Sequence, residues 1–105
     1  MIKVVNKRTG HVGATYIGRP QALGNPFAIG RDGTREEVIA KYEAWFEGMI
    51  SQQPHSNACM DYSMLLLRAM KGEDIKLECW CAPLACHGDV IKARLERDLE
   101  ECRNV

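Results

Sequence analysis

No excess charge of either sign marks this sequence: Lys and Arg total 14, and Asp and Glu also total 14. That balance excludes the broad, salt-driven attraction to nucleic acid shown by strongly basic domains. Hydrophobic runs of membrane-spanning length are missing, so no transmembrane helix is expected. Low-complexity tracts and internal repeats are missing too, which excludes repeat architectures and long disorder. The opening Met1-Ile2-Lys3-Val4-Val5-Asn6 is too short in apolar core, and lacks the small-residue cleavage site, to be a secretory signal. No phosphate-loop fingerprint, complete catalytic triad or known cofactor motif is present.

What is there reads as one domain. The 105 residues, 46% hydrophobic and 27% charged, have ordinary globular composition and fill a single domain, 1–105, with one core. Without a secretion signal a cytoplasmic, reducing setting is expected. The five cysteines (59, 79, 81, 86 and 102) are therefore read as thiols or ligands rather than a disulfide framework. Charge is balanced overall but not along the chain. Residues 1–35 hold Lys3, Lys7, Arg8, Arg19, Arg31 and Arg35 against the single acid Asp32, which suits those loops to an anionic ligand.

Residues 2–6 read as a strand, and Ala14–Ile17 as a second at hairpin distance after the turns at Gly10 and Gly13. Gly18 to Phe27, with two prolines and two glycines, is a shaped loop. Thr34-Arg35-Glu36-Glu37 has the form of a capping box. The helix it opens carries Val38, Tyr42, Trp45, Phe46, Met49 and Ile50 at three- and four-residue intervals. A second helix runs from a cap at Ser56 or Asn57 to about Met70, with Gly72 placed to end it. Residues 75–81 alternate as a strand, with Ile75, Leu77, Cys79 and Cys81 on one face and Lys76, Glu78 and Trp80 on the other. A last helix runs from Asp89 to about Arg103, its Ile91, Leu95, Leu99 and Cys102 facing inward. The order ββααβα predicts an α/β fold: a short sheet, mixed or parallel, covered by three helices. If the third strand pairs in parallel with an N-terminal one, the Gly18–Phe27 loop and the Ala82–Gly88 loop both leave carboxyl ends of strands and face one cleft.

Chemistry concentrates in Cys79-Trp80-Cys81-Ala82-Pro83-Leu84-Ala85-Cys86-His87-Gly88-Asp89, for which three readings compete. As a metal site, Cys79, Cys81, Cys86 and His87 supply the donor types that tetrahedral zinc takes, although C-x-C-x4-C-H lacks the usual ligand spacing. As a reactive or ligand-binding turn, Cys86 falls at the start of a helix, where free amides and the helix dipole lower a thiol pKa and attract an anion. His87 then serves as acid, base or donor, Gly88 lets a ligand approach the backbone, and Asp89 caps the helix or accepts from a sugar hydroxyl. Arg19 would hold phosphate, Asn25 a base or hydroxyl, and Trp80 or Phe27 would stack, with Gly18 and Gly24 shaping the loop. As structure alone, Cys79 and Cys81 are the small buried end of a strand, and Cys59 and Cys102 are core. His11 and His55 are expected on the surface.

The strings Tyr16-Ile17-Gly18-Arg19-Pro20 and Leu23-Gly24-Asn25-Pro26-Phe27, with Lys41-Tyr42, Trp45, Leu77-Glu78-Cys79-Trp80-Cys81-Ala82-Pro83 and Cys86-His87-Gly88-Asp89-Val90-Ile91, resemble a family of small proteins met in phages and bacteria and defined by a domain of unknown function. The resemblance spans most of the chain and implies a phage or bacterial, cytoplasmic setting; it brings no activity with it. The residues themselves favour a nucleotide- or nucleoside-like anionic ligand between the Arg19–Phe27 loop and the Cys81–Asp89 turn, with catalysis by Cys86, His87 and Asp89 if a reaction occurs. The alternative is a non-catalytic phage or bacterial interaction protein that binds a host or bacterial protein, its Cys/His turn structural or zinc-binding.

Overall fold

The computed structural model describes residues 1–103. Its elements are β1 (Ile2–Asn6), a 3-10 turn (Lys7–Thr9), β2 (Thr15–Tyr16), α1 (Arg35–Gln52), α2 (Asn57–Met70), β3 (Ile75–Cys79) and α3 (His87–Arg103). This is the expected α/β order, with three helices and a small sheet. The sheet is wholly parallel in the order β1-β3-β2, with Val4 opposite Leu77 on one side and Thr15 opposite Leu77 on the other. No helix among the described residues is long and apolar enough to cross a membrane.

The expected N-terminal hairpin does not form. β3 is the strand buried on both faces, with Leu77 fully buried and even Glu78 only 8% exposed, and it takes the centre between β1 and β2. The chain returns from β1 through the 3-10 turn and the left-handed Gly10 and Gly13 (φ 59° and 75°), passing β3 where Lys76 Nζ donates to the Val12 carbonyl.

Local signals set the helix starts. Thr34 Oγ1 accepts from the Glu37 N–H while Glu37 Oε1 accepts from the Thr34 N–H at 3.0 Å, which completes the capping box. Ser56, rather than Asn57, caps α2 by accepting from the Cys59 N–H at 3.1 Å. Gly72 (φ 88°) then ends that helix in a conformation that a side chain would resist. The apolar stripes meet in one core. Tyr42 stacks on Phe46 and Phe46 meets Tyr62 edge-on, while α3 lays Ile91 and Leu95, both fully buried, against the sheet and the other helices.

Further expectations shift by a turn or a face. β3 stops at Cys79 rather than running on to Cys81, because the Asn6 side-chain amide donates to the carbonyls of Trp80 and Ala82 and draws that backbone out of the ladder. α3 starts at His87, two residues before Asp89. Cys102 is exposed because the last turn of α3 runs past the core; Cys59 is half-buried, with its thiol directed at the Ile50 carbonyl. His55 is exposed, and His11 is half-buried beside the Thr9 hydroxyl.

Candidate functional site

A cleft of about 490 Å³ opens beyond the carboxyl ends of β2 and β3, walled on its third side by the first turns of α1. Clefts of about 300–1,000 Å³ at this position in a parallel sheet are where small ligands are held. The two loops expected to face each other do so: Gly18, Arg19, Asn25 and Phe27 line one wall, and Cys79, Trp80, Cys81, Cys86 and His87 line the other.

The first wall is shaped by its own hydrogen bonds. Tyr16 lies over Gly18, where any Cβ would strike its ring, and its hydroxyl donates to the Arg19 carbonyl at 3.0 Å. Gly24 is buried, with space for a Cβ closed by the backbone at Arg19 and Gln21 about 3.0 Å away, so it shapes the loop from behind and does not line the cleft. The Tyr42 hydroxyl donates to the Leu23 carbonyl at 2.8 Å, and burial holds that phenol above its ordinary pKa. Asn25 accepts from the Phe27 N–H at 2.9 Å through Oδ1, and its Nδ2 is directed at the Val38 carbonyl, so this side chain chiefly holds the loop. Arg19 is exposed, and its guanidinium makes no hydrogen bond or ion pair among the described residues.

Two residues that the sequence reading did not place in the site secure the second wall. Asn6 anchors Trp80 and Ala82 as described, and the Arg35 guanidinium donates to the Ala85 carbonyl at 3.0 Å while itself lining the cleft. Neither has a local signal. Their partners lie 74–76 and 50 residues away in the chain, so only the parallel pairing of β1 with β3 and the placement of α1 bring them together. Trp80, 53% exposed, stands at the rim; Lys7 reaches between the Tyr16 and Trp80 rings and lies 3.4 Å from Glu78.

At the floor, Cys79 and Cys86 bring their sulfurs to 3.2 Å, both side chains nearly fully buried. Cys86 precedes α3 and its Sγ accepts from the Gly88 N–H at 3.3 Å, in the manner of an N-cap. Asp89 is exposed, does not line the cleft, and uses its carboxylate to accept from the Cys86 N–H at 3.1 Å, capping α3. The expectation that the helix end lowers the Cys86 pKa is reversed. Cys86 shares a hydrogen bond with Cys79 Sγ and is buried, and both push its thiol up. The Cys79 thiol is pulled below the ordinary range, chiefly by that same hydrogen bond and further by the backbone at Cys81 and Ala82, while burial opposes the shift. His87 is buried; desolvation lowers its pKa and keeps the ring neutral near pH 7. Because a carbonyl can only accept, His87 Nε2 carries the proton it gives to Ile17 O at 2.7 Å, which leaves Nδ1 as the basic nitrogen. The Tyr42 ring meets the imidazole edge-on at 5.0 Å and fixes it.

Gly88 is buried and faces the core. A Cβ there would lie 3.0–3.1 Å from Val4 and Ile17, so its smallness lets α3 approach the sheet and leaves no opening for a ligand. The convergence that zinc requires of Cys79, Cys81, Cys86 and His87 is not formed: among the described residues no three His, Cys, Asp or Glu side chains are placed to hold a metal ion. Cys79 and Cys86 face each other, Cys81 is half-buried on the cleft wall, and His87 is turned to Ile17.

The family described as "Domain of unknown function (DUF4326)" matches residues 3–97 of this chain. No curated protein and no solved structure matches it.

Proposed function

Because the chain belongs to that family of unknown function, matched over residues 3–97, its role has to be argued from the cleft, and we propose that it binds a nucleotide- or nucleoside-like anionic ligand there. One observation carries the reading: Arg19, free of any protein partner among the described residues, and Arg35 share a nucleotide-sized cleft with the rings of Trp80, Phe27 and Tyr16. Guanidinium groups suit phosphate oxygens, which they grip through paired N–H donors. The exposed ring of Trp80 suits a base. Below them the floor is lined by a thiol pair and a neutral imidazole, residue types that can serve as nucleophile and base. The phage or bacterial, cytoplasmic setting implied by the sequence motifs belongs to this proposal.

The test is thermal-shift screening against nucleotides, nucleosides and nucleotide sugars, followed by calorimetric titration. A ligand at about 100 times its Kd adds about 2.7 kcal/mol to stability, a shift of about 10 °C for a domain of this size. Arg19→Ala is expected to weaken binding by at least about tenfold, as loss of a charge-assisted hydrogen bond does. It leaves the ligand-free melting temperature unchanged, since the side chain supports nothing else. A screen in which no such compound shifts the melting temperature, or an Arg19→Ala variant with undiminished affinity, refutes the proposal.

A further inference from the structure

The structure assigns a second activity to the floor of the cleft: we propose that Cys79 and Cys86 form a redox-active dithiol that reduces a small hydroperoxide and closes to an intramolecular disulfide. The inference goes beyond the ligand reading and does not depend on it. Of the five cysteines this is the pair in contact, with sulfurs 3.2 Å apart. A disulfide bond is about 2.03–2.05 Å long, so closure needs the sulfurs to approach by only about 1.2 Å. The chain can supply that movement. Cys79 ends β3, Cys86 precedes α3, and the six residues between them form a turn outside helix and strand, with Pro83, Leu84 and Ala85 exposed.

The two sulfurs have unlike surroundings. Contact with Cys86 and the backbone at Cys81 and Ala82 hold the Cys79 thiol below its ordinary pKa, while burial and the same contact push the Cys86 thiol up, and Cys86 Sγ accepts from the Gly88 N–H. Cys79 is therefore the attacking thiolate and Cys86 the resolving thiol. Both line the cleft, yet they are only 2% and 3% exposed, so the oxidant must be small, and a hydroperoxide fits where a protein disulfide does not.

The steps balance. Cys79 thiolate attacks the terminal oxygen of R–O–O–H, the O–O bond breaks, RO⁻ leaves and, to become ROH, takes from solvent the proton that Cys79 lost on ionising, and Cys79 becomes a sulfenic acid. Cys86 sulfur then attacks Cys79 sulfur, the S–O bond breaks, and the hydroxide released combines with the Cys86 proton to form water. Overall two thiols are oxidised by two electrons, the peroxide is reduced, and one alcohol (water when the oxidant is hydrogen peroxide) and one water are formed.

The experiment exposes the reduced, desalted protein to stoichiometric hydrogen peroxide at pH 7, counts thiols in denaturant and maps the linkage by mass spectrometry. Titratable thiols are expected to fall from five to three. The chain becomes lighter by two hydrogens, with peptides containing Cys79 and Cys86 joined and separated again by dithiothreitol. The reaction runs at least roughly tenfold faster than with free cysteine, of which only a few per cent is thiolate at this pH. Cys86→Ser is expected to stop at a Cys79 sulfenic acid that dimedone traps. Should that variant fail to fold, Cys81→Ser must still yield the Cys79–Cys86 linkage. Persistence of five thiols, a rate no greater than that of free cysteine, or a linkage through Cys81 or between two chains overturns the proposal.

Discussion

Two glycine-to-alanine substitutions, Gly88→Ala and Gly48→Ala, are expected to change stability in opposite directions, which tests whether Gly88 serves packing. Both glycines lie in helices, where alanine is favoured by up to about 1 kcal/mol. At Gly48, in the middle of α1, a new methyl meets nothing within 4 Å, so the propensity gain stands and stability rises by about 0.5–1 kcal/mol. At Gly88 the methyl would lie 3.0 Å from Val4 Cγ1, 3.1 Å from Ile17 Cδ1 and 3.3 Å from Cys86 Sγ. Ile17 is 1% exposed and has no solvent to retreat into, and the overpacking cost of about 1–3 kcal/mol exceeds the gain, which is reduced further because Gly88 sits in the first turn of α3. The net loss of about 1–2 kcal/mol corresponds to a fall of at least about 4 °C in melting temperature for a domain of this length. Thermal unfolding followed by circular dichroism reads both shifts. Equal stabilisation by the two substitutions would sink the account of α3 seated through Gly88.

Asn6→Ala removes the amide that donates to the Trp80 and Ala82 carbonyls at 3.1 and 2.7 Å. At about 0.5–1.5 kcal/mol for each bond, the denaturation midpoint should drop by the equivalent of about 1–3 kcal/mol, and amide exchange should accelerate in residues 80–85; unchanged exchange there would show that Asn6 does not hold the wall. His87 gives a pH signature. Its folded pKa lies below the unfolded value of about 6.5 because burial disfavours the cation, so the unfolded chain binds the extra proton first. The stability it supplies is complete above about pH 6.5 and is lost as pH falls below that value toward the depressed folded pKa. The stability difference between the wild type and His87→Gln, measured by urea denaturation, should therefore shrink between about pH 7.5 and 5. A difference that stays constant or grows on acidification contradicts a buried neutral imidazole.

Much of the fold was legible because its signals are local. The Thr34–Glu37 box, the Ser56 cap and Gly72 each act within a few residues, and the stripe through Tyr42 and Phe46 needs only helical periodicity. The parallel placement of β3 followed from the two helices that lead into it. What was not legible depends on partners far along the chain. Nearness in sequence suggested pairing β1 with β2, whereas β3, the strand buried on both faces, separates them. Asn6 looks like an ordinary surface residue, and Arg35 like one more N-terminal cation, until the fold sets them against the 80–86 turn. The cleft lining at Arg19, Asn25, Trp80, Cys86 and His87 was anticipated, while Gly24, Gly88 and Asp89 support it from outside. Strand alternation alone made Cys79 look like plain core, because nothing in its own segment shows that Cys86 comes back to touch it.

The reversal at the thiols is a matter of magnitude. A helix N-terminus stabilises a nearby negative charge by about 0.3–1 kcal/mol, less than one pKa unit, which is worth about 1.36 kcal/mol. Cys86 has that advantage together with the Gly88 N–H. Cys79 has a direct hydrogen bond with Cys86 Sγ at 3.2 Å, and a hydrogen bond to a charged group is worth about 1.5–3 kcal/mol. A direct contact of that size outweighs the diffuse field of the helix, so the Cys79 thiol lies low and the Cys86 thiol high. The same comparison explains how a chain with no net charge can offer an anion site. Among the six cations of residues 1–35, Arg31 is taken up by Asp32 and Lys7 by Glu78, whereas Arg19 keeps its full set of donors for the cleft. Recognition of an anion here depends on that local surplus rather than on the net charge of the chain.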